Sequence, residues 1–262
     1  MKNLLKALGI IILLCEISFS KENKLDKIIK NNILKVCIWP QYYGISYLDP
    51  RTQKLRGIDS DLAIELAKDL NVKLKFVKSS FPTLINDITN NKCDIAMFAI
   101  ANTAKREAKM RFTTPHLKSD IYAITNRSNK KIKSWDDIDK KGVIVTVSKG
   151  TYHEPIMKKK LHKATLVIKK NFKQREDEVH SGRADVFITD YPYSKKMLAK
   201  TNWAKLIIPK ETYHLTPYSW TMAYGYDSFY QRVEQFIKDI KTDGRLIKIA
   251  KNNSLEPIVN LN

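Results

Sequence analysis

The stretch ILKVCIWPQYYGISYLDPRTQKLRGIDSDLAIELAKDLNVKLKFV, residues 33–77, changes its apolar period twice. Residues 33–38 form a short, nearly continuous apolar run, the pattern of a buried strand. Residues 58–70 place Ile64, Leu66 and Ala67 on a helical period, with Asp59 as the expected N-cap. Residues 73–77 return to a strand. Strand, helix and strand in so short a span make a βα unit, the building block of a mostly parallel sheet.

The alternation continues outward from there. A helix is expected over 81–89, opened by Pro82, and a strand over 94–99. Residues 118–125 read as extended and 134–138 as a short helix. A fresh series then runs through 142–147, 154–161, 165–168, 174–181, 184–189 and 193–198 as strand, helix, strand, helix, strand, helix. After 206–208, residues 218–223 are extended again, and helices over 229–240 and 245–251 close the chain, with Gly244 between them. If both extended segments are crossings, residues 31–118 and 219–262 form one lobe and residues 119–218 an inserted second lobe. The fold class expected is therefore α/β: two lobes, each a mostly parallel sheet flanked by helices, joined by a two-segment hinge. About 100 residues per lobe is an ordinary domain size.

The N-terminus has a different character. Lys2 and Lys6 flank a basic start, residues 4–14 are almost wholly apolar, and Ser18-Phe19-Ser20 supplies small residues around a cleavage point. The run is too short to span a bilayer, which takes about 20 residues. Residues 1–20 are expected to be a signal peptide cut after Ser20. Lipidation at Cys15 is the rival reading, disfavoured by bulky Leu14 before it.

A net charge of +20 often points to nucleic acid. Here lysines are scattered through every segment without a nucleic-acid-binding motif, so no nucleic-acid partner is expected. Cys37 lies mid-strand and Cys93 just before another strand; they are placed as neighbours and read as two buried thiols rather than a bridge.

Enzymatic signatures are absent: no G-x-S-x-G, phosphate-binding loop, G-x-G-x-x-G or H-E-x-x-H occurs. The five histidines are scattered, and no pair has the i, i+4 spacing of a helical metal site. No metal or cofactor is called for. Ligands in parallel α/β sheets collect at the carboxyl ends of strands, and four such ends carry distinctive chemistry. Trp39, Tyr42 and Tyr43 follow the first strand, and Ala99, Ala101, Thr103 and Arg106 the third. Lys149, Gly150, Thr151 and Tyr152 lead into a helix, and Asp190 and Tyr191 end a further strand. One cation, one anion, a Gly-opened helix start and several aromatics suit a zwitterion held between aromatic walls.

At these loops the chain resembles the amino-acid-binding receptors of ABC importers, the family 3 extracellular solute-binding proteins. The residues that carry the likeness are Gly57-Ile58-Asp59-Ser60-Asp61-Leu62-Ala63, Phe81-Pro82-Thr83-Leu84-Ile85, Asp94-Ile95-Ala96 with Thr103-Ala104-Lys105-Arg106, Phe112-Thr113-Thr114-Pro115, Gly150-Thr151, and Gly182-Arg183-Ala184-Asp185 running on to Asp190. Each motif is weak alone; six in order are strong. The resemblance implies that Arg106 clamps the ligand carboxylate with its planar fork. It also implies that backbone N–H groups near Ala99 and Ala101 and at Thr151-Tyr152 complete the anion site, and that Asp190 takes the ammonium group. Trp39, Tyr42 and Phe81 would wall the ligand.

Departures from the family pattern bear on specificity. Phe98, Ala99 and Ala101 stand where serines are usual, His116 where a tyrosine follows the crossing proline, and Trp39 where receptors for cationic amino acids carry an acidic residue. A neutral amino acid is therefore the expected ligand, an ABC permease the expected partner and a monomer the expected state. The competing readings are a periplasmic enzyme resembling the cyclohexadienyl dehydratases, with Glu154 or His153 as the acid, and a sensory or host-surface binding role.

Overall fold

The computed structural model describes residues 23–262; the expected signal peptide and Cys15 lie outside them. The chain opens with α1 (Lys24–Lys30), β1 (Ile33–Ile38), β2 (Gln41–Tyr42), β3 (Ser46–Leu48), β4 (Leu55–Arg56), α2 (Ile58–Asp69), β5 (Lys73–Lys78) and α3 (Leu84–Thr89). It continues through β6 (Ile95–Ala101), α4 (Ala104–Glu107), β7 (Arg111–Phe112) and β8 (Leu117–Ser119). Next come β9 (Ile121–Asn126), β10 (Ile144–Ser148), α5 (His153–Lys160), β11 (Thr165–Lys169), α6 (Phe172–His180), β12 (Val186–Asp190), α7 (Tyr191–Lys200) and β13 (Ala204–Ile207). The chain closes with β14 (Thr216–Met222), α8 (Asp227–Thr242) and α9 (Arg245–Asn252).

Two sheets organise the two lobes. The first runs β5-β1-β6-β14-β7, with β8 also on β14; the second runs β11-β10-β12-β9-β13. In each, three strands are parallel, and the strand beside them, β14 or β9, is antiparallel. β6 sits between β1 and β14 with all seven residues buried, which explains its unbroken apolar sequence. α8 buries Phe229, Val233, Phe236, Ile237 and Ile240, a single apolar stripe at helical spacing.

The crossing between sheets is short. Asp120 alone separates β8 from β9, and its carboxylate accepts the backbone N–H groups of Tyr213 at 2.9 Å and His214 at 2.7 Å, just before β14. The two hinge segments are thus clasped side by side, and the carboxyl ends of the parallel strands of both sheets face one cleft.

Three expectations are corrected. Cys37 and Cys93 are bonded as a disulfide. β1 and β6 are adjacent and parallel, which brings the two Cα atoms to 5.5 Å, inside bridging range. Asp59 is not a helix cap: Gly57 holds that position with φ +127, where a Cβ would lie 2.3 Å from the Ile45 carbonyl oxygen. Asp59 instead turns inward, fully buried, and accepts from Ala99 N at 2.6 Å, His116 Nε2 at 2.9 Å and Trp220 Nε1 at 2.9 Å. The motif beginning at Gly57 therefore ties α2, β6, the crossing and β14 into one unit. α3 starts later than its sequence indicated, because Phe81-Pro82-Thr83 form a turn ahead of it.

Candidate functional site

The cleft is shut, and side chains from both lobes meet across it. Trp39, Tyr42, Phe81, Arg106, Tyr152 and Asp190 are each 7% exposed or less. Trp39, released from the end of β1, meets Phe81 edge-on at 5.0 Å between ring centroids and stacks on Phe172 of α6 at 4.3 Å. Tyr42 lies against Phe81 at 5.9 Å and Phe172 at 5.5 Å. Phe81 in turn packs on Phe98 at 5.1 Å. These rings form a continuous apolar wall joining the lobes.

Arg106 is set at the other end of the wall by α4, the single turn that follows β6. Its Nη1 donates to the Ala101 carbonyl at 2.7 Å and its Nη2 reaches across the cleft to the Gly150 carbonyl at 3.0 Å. The guanidinium lies 5.2 Å from the Phe81 ring centroid. No carboxylate of the described residues is within ion-pairing distance of it, and burial pulls its pKa down to about 10. It stays charged at neutral pH in a place that disfavours charge.

Gly150 brings backbone of the two lobes into close contact. Its φ is +78, and a Cβ there would sit 2.8 Å from Pro82 N and 3.0 Å from Phe81 C, backbone of the opposite lobe. Thr151 is buried, with Oγ1 donating to the Ser148 carbonyl at 2.7 Å. Tyr152 shares a hydroxyl–hydroxyl bond of 3.0 Å with Tyr218 of β14. The Ala99 N–H, expected near the ligand, is committed to Asp59 at 2.6 Å, so its neighbourhood offers the cleft the Ala101 carbonyl through Arg106 instead.

Asp190 ends β12 and serves two purposes. Its Oδ1 accepts the Tyr193 N–H at 3.2 Å and so caps α7. Its Oδ2 accepts the hydroxyls of Tyr42 and Tyr218, the latter at 2.7 Å, which ties the end of β12 in the second sheet to β14 in the first. Burial pushes the Asp190 carboxyl up to about 6, although both tyrosine bonds and Arg175 pull the other way. The same burial, reinforced by Asp190, raises Tyr42 and Tyr218 well above the ordinary phenol value, so both remain donors.

The structure gathers Trp39, Tyr42, Phe81, Arg106, Gly150, Tyr152 and Asp190 at the cleft, whereas Lys149 is exposed and Tyr191 packs on Tyr122 instead; it adds four residues that sequence did not flag. Phe172 and Arg175 come from α6, Tyr193 from α7 and Tyr218 from β14. Phe172 lies three residues past the end of β11, so the strand-end rule applied to that strand would have found it. Tyr218 and Arg175 carry no local signal. The two residues read as alternative catalytic acids, Glu154 and His153, open α5. Lys158 at 2.7 Å and the Gly150 N–H at 3.0 Å hold the Glu154 carboxyl below its usual range despite partial burial. His153 is fully buried, and burial together with Arg175 keeps it neutral.

The family model of the bacterial extracellular solute-binding proteins, family 3, matches residues 34–254. A cyclohexadienyl dehydratase of Pseudomonas aeruginosa is 30% identical over 193 residues, 72% of this chain and 71% of that protein. The L-cystine-binding protein TcyJ of Escherichia coli is 23% identical over 235 residues, 89% of this chain and 87% of that one. Among solved structures, the ancestral amino-acid-binding protein AncCDT-1, a precursor of cyclohexadienyl dehydratase, superposes with a TM-score of 0.80 at 30% identity, covering 87% of this chain and 98% of its own. The substrate-binding protein AbpA of Streptococcus pneumoniae, bound to L-arginine, gives a TM-score of 0.79 at 22% identity over 90% of this chain and all of its own.

Proposed function

The chain belongs to the bacterial extracellular solute-binding proteins, family 3, and we propose that it is a monomeric periplasmic receptor closing on an amino acid or similar small carboxylate for an ABC permease. The observation that carries this is Arg106: a buried guanidinium with no anionic partner among the described residues, bonded to a carbonyl of each lobe. A ligand carboxylate supplies the missing charge and joins the lobes at the same point. Export with cleavage after Ser20 belongs to the same reading, and the intact mass of the periplasmic form tests it.

The ring wall sets the order of ligands. Trp39 lies 4.3 Å from Phe172 and 5.0 Å from Phe81, with no carboxylate among these three. An ammonium or guanidinium side chain placed there gains a cation–π contact of about 0.5–2 kcal/mol, less than the cost of burying it unpaired. Neutral amino acids therefore bind ahead of lysine and arginine. A thermal-shift panel of the twenty amino acids tests this, and a largest shift with arginine or lysine refutes it.

The 30% identity to a dehydratase favours a second reading, catalysis on the same scaffold. Against it, Glu154 is held ionised by Lys158 and His153 is held neutral by burial, so neither is a ready proton donor at neutral pH. Incubation with prephenate and arogenate is expected to release no phenylpyruvate or phenylalanine; either product establishes the enzyme.

A further inference from the structure

Arg175 is a second buried guanidinium whose hydrogen bonding is incomplete. It is 0% exposed on α6, and Nη1 donates to the Ile188 carbonyl at 2.8 Å, while Nε and Nη2 are buried without a partner among the described residues. Its guanidinium lies 4.5 Å from the Phe172 centroid, 4.4 Å from Phe187 and 4.6 Å from Tyr193. Phe172 is also the ring that stacks on Trp39 at 4.3 Å. One aromatic ring therefore separates two unpartnered N–H donors from the wall of the cleft.

The surrounding charges do not neutralise it. Asp190 and Glu176 both attract Arg175, yet neither forms an ion pair with it, and both are already engaged: Asp190 by Tyr42 and Tyr218, Glu176 by the Tyr193 hydroxyl. Burial raises Glu176 to about 7 and Asp190 to about 6, so each gives up part of its negative charge near neutrality, whereas Arg106 and Arg175 keep theirs. His153, the remaining titratable group that Arg175 affects there, is neutral. Neither guanidinium thus has an ion-pair partner among the described residues, and a ligand with a single carboxylate supplies a partner to one of them only.

We propose that Arg175 is a second anion-binding residue behind Phe172, and that the cleft takes an organic acid with two acidic groups on an uncharged body, one at Arg106 and the other at Arg175. This rests on the carboxylate reading of Arg106 and extends its order: cationic ligands bind least well, neutral ones better, anionic ones best. Rotation of Phe172 off Trp39 is the movement that admits the second acidic group.

Two matched pairs test it by calorimetry: L-glutamine with L-glutamate, and L-phenylalanine with 4-carboxy-L-phenylalanine. In the wild-type protein the acidic member of at least one pair binds tenfold or more tighter than its neutral partner. In Arg175→Met, which preserves most of the side-chain volume, that preference falls below threefold, read as the ratio of the two affinities within each pair. If Arg175 serves only to pack the three rings, Arg175→Met loses stability and leaves the ratio unchanged, which overturns the proposal. Equal or tighter binding of the neutral member by the wild type also overturns it, and that comparison decides alone should the variant not fold. Neutral members that bind while acidic ones do not refute this inference only; no binding of either member by a correctly folded protein refutes the carboxylate reading beneath it as well.

Discussion

Replacing Gly150 with alanine separates closure from folding. The new Cβ would lie 2.8 Å from Pro82 N and 3.0 Å from Phe81 C, both backbone atoms of the facing lobe. Ordinary contact begins near 3.4 Å, so the lobes must part by about 0.6 Å at this point. Forcing extra volume into a packed contact costs about 1–3 kcal/mol, and here only the closed form bears it. The left-handed φ of +78 adds about 1–2 kcal/mol for any residue with a Cβ, in open and closed forms alike. Gly150→Ala should therefore lower the unfolding free energy modestly and weaken binding by a further, separate amount, roughly 5- to 150-fold. Parting the lobes also lengthens the Arg106 contact with the Gly150 carbonyl, now 3.0 Å. Calorimetric titration with the best ligand of the amino-acid panel measures the affinity, and small-angle scattering with and without ligand measures closure. Affinity within twofold of the wild type, with normal compaction on binding, would show that this contact does not govern closure.

Two further outcomes follow from buried groups. The Cys37–Cys93 bridge spans 56 residues, for which the chain-entropy relation gives about 4 kcal/mol of stabilisation; reduction should lower the urea midpoint correspondingly, and an unchanged midpoint on reduction refutes the assignment. Asp190 titrates higher folded, about 6, than in the ordinary carboxyl range near 3.8, so between those values the folded state binds more protons and its stability falls as pH rises through that window. Buried His153 acts in the opposite sense below its ordinary value, so the informative quantity is the wild type minus Asp190→Asn, measured by urea titration from pH 4 to 7; a difference that is flat or rises with pH contradicts the assignment.

The sequence was legible where a residue's local period reports its surroundings. β1, β6 and β12 are buried on both faces, and their continuous apolar runs mark them within a residue or two. Loops at strand ends were legible for the same reason, since the polar residues Arg106 and Asp190 interrupt apolar text where a sheet opens onto the cleft. What stayed hidden depends on contacts distant in sequence. β2, β3 and β4 are two or three residues long and pair only with one another, too short for alternation to register. Arg175 sits in FKQREDEVH, which reads as a solvated helix face, yet the rings of Phe172, Phe187 and Tyr193 enclose it. Asp59 looked like a cap because caps are local, whereas its partners Ala99, His116 and Trp220 lie 40, 57 and 161 residues away. The disulfide belongs with these, since strand neighbourhood rather than cysteine spacing brings its two Cα atoms to 5.5 Å.

Calorimetry on Arg106→Ala tests the central claim most directly. Arg106 is the buried cation that bonds to carbonyls on both sides of the cleft and lacks a carboxylate partner among the described residues. Removing one side of a buried charge pair costs about 2–5 kcal/mol, roughly a 30- to 5000-fold loss of affinity. The variant is expected to keep the circular-dichroism spectrum of the wild type while losing binding by that factor for the ligand that gives the largest thermal shift. A loss of less than fivefold would place the carboxylate elsewhere and contradict the account of this cleft.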